Sequence, residues 1–95
     1  MPNHEVNDTT CVIIPESVLA REISGEMVIL DLNSERYFGL DTVGASMWEA
    51  LSTGQNIGQA VVSMSAIYEA DMEVLHRDLV ELVQKLALYG LVVLK

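Results

Sequence analysis

The sequence predicts an α+β fold of winged helix-turn-helix type, in which a three-stranded antiparallel sheet is followed by three helices. Three observations carry this. Aliphatic, β-patterned runs at 18–23 and 26–32 flank Ser24-Gly25, and a third at 36–40 follows the polar turn Asn33-Ser34-Glu35. Such runs joined by short Gly or Asn turns are the pattern of a β-meander. After Leu40 the apolar spacing changes from two to about 3.6 residues, the helical period. Three helix-start signals then appear, at Asp41 or Thr42, at Asn56 and at Asp71.

Taken in order, residues 1–10 (MPNHEVNDTT) hold almost nothing that could be buried and are expected to form a flexible tail ahead of one domain over residues 11–95. Cys11–Ile14 is a short apolar run stopped by Pro15, fitting a strand or an extended lead-in. The hairpin 18–32 follows, with Val28, Leu30 and Leu32 alternating with Met27, Ile29 and Asp31. Arg36-Tyr37-Phe38-Gly39-Leu40 is the third strand of the meander.

The first helix carries Val43, Met47 and Leu51 on one stripe with Trp48 beside it, and stops at Ser52-Thr53-Gly54. The second opens on the capping pair Asn56 and Gln59, and its apolar set is Ile57, Ala60, Val61, Met64, Ile67 and Tyr68. The third starts at Asp71, turns Leu75, Leu79, Leu82, Val83 and Leu86 inward, and meets a stop at Gly90. Leu91-Val92-Val93-Leu94 is apolar and must pack against the rest, with a short strand as one form.

Length and charge narrow the function. A chain of 95 residues, 51% hydrophobic, supports one core and leaves little room for a deep pocket, so a binding surface is the expectation. The net charge is −9, with 14 acids spread through the chain against five Lys and Arg. The helix that would enter a DNA groove, MEVLHRDLVELVQKLALY, sets Glu73, Asp78 and Glu81 against Arg77 and Lys85, the wrong sign for phosphate contacts. No nucleic-acid partner is expected. A single cysteine forms no internal disulfide, and there is neither an export signal nor an apolar run near the ~20 residues of a membrane span, which points to a cytoplasmic protein with no membrane contact.

Catalytic chemistry is not offered. His4, His76 and Cys11 show no metal-ligand spacing, the pairs Asp31/Glu35 and Asp78/Glu81 read as solvated acids, and the glycines are scattered at turns instead of forming a phosphate loop. The distinctive feature is the third strand. In a meander it lies at a sheet edge, its outward backbone groups are unpaired, and Arg36 is its only charged guard. An extended peptide could add there as a fourth strand. Which of Tyr37 and Phe38 faces the core is left open by periodicity.

AREISGEMVILDLNSERYFGLDTVGASMWEAL, then a Gly-containing loop, a helix ended by Tyr68, RDLVELVQKL and YGLVV together resemble the PqqD-like family, the leader-peptide recognition elements of ribosomally made, post-translationally modified peptides (RiPPs). The likeness runs from about Cys11 to Leu94; its most specific parts are LDL-turn-RYFGL-D leading into GASMWEAL, Asp78, and Gly90-Leu91-Val92. The apolar lead-in before Pro15 and the GLV ending look most like the stand-alone leader-binding proteins of lasso-peptide clusters.

The resemblance implies a non-catalytic, cofactor-free module. It would bind a precursor's leader by strand addition, then present it to a separate cysteine-protease-like leader peptidase and onward to a cyclase. Carried onto this chain, Glu35, Arg36, Tyr37, Phe38 and Gly39 would pair with the peptide. Val74, Asp78, Glu81, Leu82 and Lys85, three or four apart on one helix flank, would form the facing wall. Asp78 would then accept a hydrogen bond or pair with a basic leader residue; otherwise it is a solvated helix acid. The alternatives are a PqqD-type chaperone for a radical SAM peptide-modifying enzyme, a dimerisation domain using the same edge, and a winged-helix transcription factor.

Overall fold

The computed structural model describes residues 6–95. The expected tail falls partly outside them, as does His4. Eight elements follow in order: β1 (Val12–Ile13), β2 (Val18–Ile23), β3 (Glu26–Asp31), β4 (Arg36–Leu40), α1 (Thr42–Ser52), α2 (Ile57–Ile67), α3 (Met72–Leu88) and β5 (Val93–Leu94). The predicted sheet and three helices are present, and β2-β3-β4 form an antiparallel sheet in sequence order.

The β2–β3 hairpin closes on Ser24 and Gly25, with φ of 54° and 84°. Positive φ at both central residues is the type I′ geometry whose twist matches the strands it joins, and Gly25 takes it without a Cβ penalty. Ile23 therefore pairs with Glu26, and the register runs back to Val18 opposite Asp31. The β3–β4 register sets Ile29 opposite Phe38 and Leu30 opposite Tyr37. Because strand side chains alternate between faces, the burial of Ile29 decides the matter that periodicity left open. Phe38 turns inward and packs against the core, whereas Tyr37 is 73% exposed on the other face.

Asp41, not Thr42, caps α1: its Oδ1 accepts the Gly44 N–H at 2.8 Å. Asn56 and Gln59 form a reciprocal capping box on α2, and Asp71 accepts from Glu73 N at the start of α3. Each cap satisfies backbone donors that a first helical turn leaves orphaned. The helices share one core with the inner face of β3 through Trp48, Leu51, Ile57, Met64, Leu79 and Val83: α1 packs on β3, and α2 packs between α1 and α3. Among the described residues no helix is long and apolar enough to cross a membrane.

Three expectations of burial are corrected. Ile67 is 67% exposed, because α2 ends there and only Tyr68, the next residue, turns back, its hydroxyl 2.9 Å from Ser46 Oγ. Val43 lies in the open first turn of α1 and is exposed. Leu82 is only half-buried, since it sits at the rim of α3, one step round from the buried Leu79 and Val83.

Two features had no clear sequence signal. β1 pairs with β5, so the apolar lead-in and the apolar C-terminal run cover each other, with Cys11 and Lys95 exchanging backbone bonds of 3.2 and 2.9 Å. Within the expected tail, residues 6–10 lie along the start of α2: Ile57 N donates to Thr10 O and Gly58 N to Asp8 O, at 3.0 and 2.9 Å. These bonds occupy N–H groups at the helix end, and Thr10 is buried as a result. Asp8 Oδ1 also lies 2.7 Å from His76 Nε2 on α3.

Candidate functional site

β4 is one edge of the sheet, and among the described residues no strand pairs with its outer side. Backbone donors and acceptors along such an edge are left for solvent or for another chain. β2 is the other edge and is exposed from Leu19 to Ile23. β4 differs because a helix faces it.

Between β4 and α3 lies an open recess of ≈ 450 Å³. Gly39 and Leu40 form its strand side, Asp78 and Leu82 its α3 side, and Asp41, Val43, Gly44 and Met47 its end at the start of α1. Gly44 packs tightly in this turn: a Cβ there would lie 3.2 Å from Leu40 Cβ and 3.3 Å from Asp41 Oδ1, closer than ordinary contact. At the next inward position of β4 the gap is bridged, with the Phe38 and Tyr89 rings 5.0 Å apart at 34°. A wide end and a closed end result.

The sequence-derived site residues are placed unevenly. Arg36, Tyr37, Phe38 and Gly39 all lie on β4. Glu35 does not: it is the last turn residue, in a left-handed conformation (φ 60°), and its N–H is already given to Asp31 O at 2.8 Å. Its positive φ closes the four-residue turn, so the strand starts at Arg36 as its sequence pattern predicts, and Glu35, which the resemblance adds to the pairing segment, stays in the turn. On α3, Asp78 and Leu82 border the recess; Val74, Glu81 and Lys85 are exposed and are not among its lining residues.

Missed by the sequence reading are Leu40, Asp41, Val43, Gly44 and Met47, and also Tyr89. The period of α1 showed an apolar stripe but not that its first turn would line the wide end of a groove. Asp78 is half-exposed and 3.5 Å from Arg77; such a surface pair contributes little by itself, at most about 1 kcal/mol.

A larger depression, ≈ 640 Å³, lies at the N-terminal end of α2 among Asp8, Gln55, Asn56, Gln59 and Ser63. Its polar groups are engaged with each other: Asn56 and Gln59 cap α2, and Ser63 Oγ donates to Gln55 at 3.2 Å. No strand edge borders it. Among the described residues no group of three or more His, Cys, Asp or Glu side chains could hold a metal ion.

Fold and site together define a small winged α+β domain with an open strand edge facing a helix across a groove. The family described as Coenzyme PQQ synthesis protein D (PqqD) matches residues 26–92, and the chain belongs to that family. Among solved structures it is similar to TbiB1 in complex with the TbiA(β) leader peptide. The identity is 34% over 83% of this chain and 92% of that one, with a TM-score of 0.78. It shares its fold with a lasso peptide synthetase B1 complexed with the leader peptide, at 22% identity over 86% of this chain and 96% of the other, TM-score 0.79. No match was found among curated proteins.

Proposed function

We propose that this protein is a RiPP recognition element that binds the leader of a ribosomally made precursor peptide. The leader adds as a strand to β4, and the domain presents it to a separate cysteine-protease-like leader peptidase and onward to a cyclase in lasso-peptide biosynthesis. The observation that carries the reading is the geometry of one edge. β4 has backbone groups free to pair, and the recess beside it offers a pocket for alternate side chains, the two components of strand-addition recognition. The 34% identical TbiB1, solved with a leader peptide, supports the same assignment.

The domain's part is binding, with no chemistry of its own and no cofactor. Leu40, Val43, Met47 and Leu82 supply apolar surface, while Asp41 and Asp78 set two carboxylates at the rim. Arg36, Tyr37, Phe38 and Gly39 supply the pairing edge; Asp78 accepts a hydrogen bond or pairs with a basic leader residue. Val74, Glu81 and Lys85 lie on the α3 flank where a longer peptide would continue past the recess. A cytoplasmic setting belongs to the same reading and rests on the single cysteine.

The test is calorimetric titration with the synthetic leader of the neighbouring precursor gene and with the same residues in scrambled order. Tight binding of the leader alone is expected. Equal affinity for both, or none for either, removes the assignment.

A further inference from the structure

The two ends of the groove are unequal, and the inequality has a direct consequence for any strand that enters it. Phe38 and Leu40 project to the same face of the sheet, two residues or about 6.7 Å apart. A strand added to β4 carries its own inward side chains at the same interval, so one comes level with Leu40 and the next with Phe38. The first meets the open recess. The second meets the Phe38–Tyr89 pair.

That pair leaves no slot. Its centroids are 5.0 Å apart, whereas a side chain inserted between two rings needs roughly 7–8 Å, twice the ~3.5–4.0 Å carbon contact distance. The pair is anchored from both elements, by the Phe38 side chain and by the Tyr89 backbone. Phe38 packs against the core on the inner face of β4, and Tyr89 is the C-cap of α3, its N–H bonded to Lys85 O at 3.1 Å, with Gly90 (φ 76°) ending the helix behind it. Tyr89 is nonetheless 43% exposed, so a small side chain can lie over the pair without parting it.

We infer that the Phe38–Tyr89 pair is a specificity-determining element of the groove. It confines one leader residue to a small side chain, two positions from the residue that fills the recess, and thereby holds the peptide in a single register. The inference rests on the strand-addition reading and goes beyond it by naming which position is size-limited and which residues limit it. Shifting the peptide by two would drive its large residue onto the aromatic pair.

The experiment pans a display library of fully randomised twelve-residue peptides against the full chain, the Tyr89→Ala variant and the Tyr89→Phe variant, each checked for folding by circular dichroism. The wild type and Tyr89→Phe are expected to enrich peptides with one large apolar position and, two residues away, a position limited to small side chains. Tyr89→Ala is expected to admit bulky residues there at least tenfold more often.

An unchanged profile in Tyr89→Ala overturns the size limit while leaving peptide binding intact, and so does a wild-type motif with no restricted position. A wild type that enriches no peptide removes strand addition and, with it, this inference. If Tyr89→Ala does not fold, Phe38→Leu opens the pair from the strand side, and the same relaxation is required of it.

Discussion

Leu79 and Leu82 offer a clean separation of folding from binding, because they lie three residues apart on α3 and serve different surfaces. Leu79 is fully buried among the core residues. Truncation to alanine there removes buried methyl groups and leaves a cavity, a cost of about 3–5 kcal/mol. A 95-residue domain holds only about 5–14 kcal/mol of stability in total, so Leu79→Ala should be much weakened yet measurable. Leu82 is half-buried at the recess, and Leu82→Ala should lose about half of a full leucine burial, about 1–1.5 kcal/mol. A bound peptide would cover the remaining half, so Leu82→Ala should also lose about 1–1.5 kcal/mol of binding, roughly 5- to 12-fold in Kd.

Guanidinium unfolding followed by Trp48, the only tryptophan and buried in the core, reads the first quantity; leader titration by calorimetry reads the second. The expected pattern is crossed. Leu79→Ala loses the more stability but, where folded, binds like the wild type, whereas Leu82→Ala loses less stability and binds several-fold more weakly. Wild-type affinity in Leu82→Ala would show that the recess is not where the peptide lies.

Three further outcomes follow from the same geometry. Gly39→Ala should raise stability by about 0.5–1 kcal/mol, because a Cβ there meets nothing within 4 Å and the strand loses less backbone entropy; a lowered melting temperature contradicts this. Asp41→Ala removes the oxygen that accepts Gly44 N–H and should cost about 0.5–2 kcal/mol in denaturant unfolding, with Asp41→Asn close to wild type. Asp78→Asn, at a half-exposed side chain, should leave stability within about 0.5 kcal/mol. If Asp78 pairs with a basic leader residue, the same change should weaken binding severalfold at low salt and less at high salt; a salt-independent affinity unaltered by the change removes that pairing.

Much of the fold was legible because local rules and the global architecture agree. The Ser24-Gly25 turn, the Asn56/Gln59 capping box, Asp71 and Gly90 act over three or four residues, so their effects can be read without knowing what packs where. The candidate site was legible only in part. RYFGL announces a strand with the bounds it has in the fold, and its position in the meander announces an edge, but Glu35, added to the pairing segment by resemblance, is held in the left-handed turn. The five-residue flank on α3 followed from the family resemblance together with helical spacing. Only Asp78 and Leu82 border the recess, since the angle at which a helix crosses a strand is not written in its period.

What the sequence determined by itself is the order of elements, their caps and turns, and a surface charge unsuited to nucleic acid. These follow from short-range hydrogen bonding, from side-chain periodicity and from net charge. The tertiary structure alone decided that Phe38 faces inward and Tyr37 outward, that the first turn of α1 lines the wide end of the groove, and that Tyr89, 51 residues from Phe38 in the chain, closes the other end on it. Each depends on which distant surfaces exclude water from one another, and that is settled only when the sheet and the helices pack together.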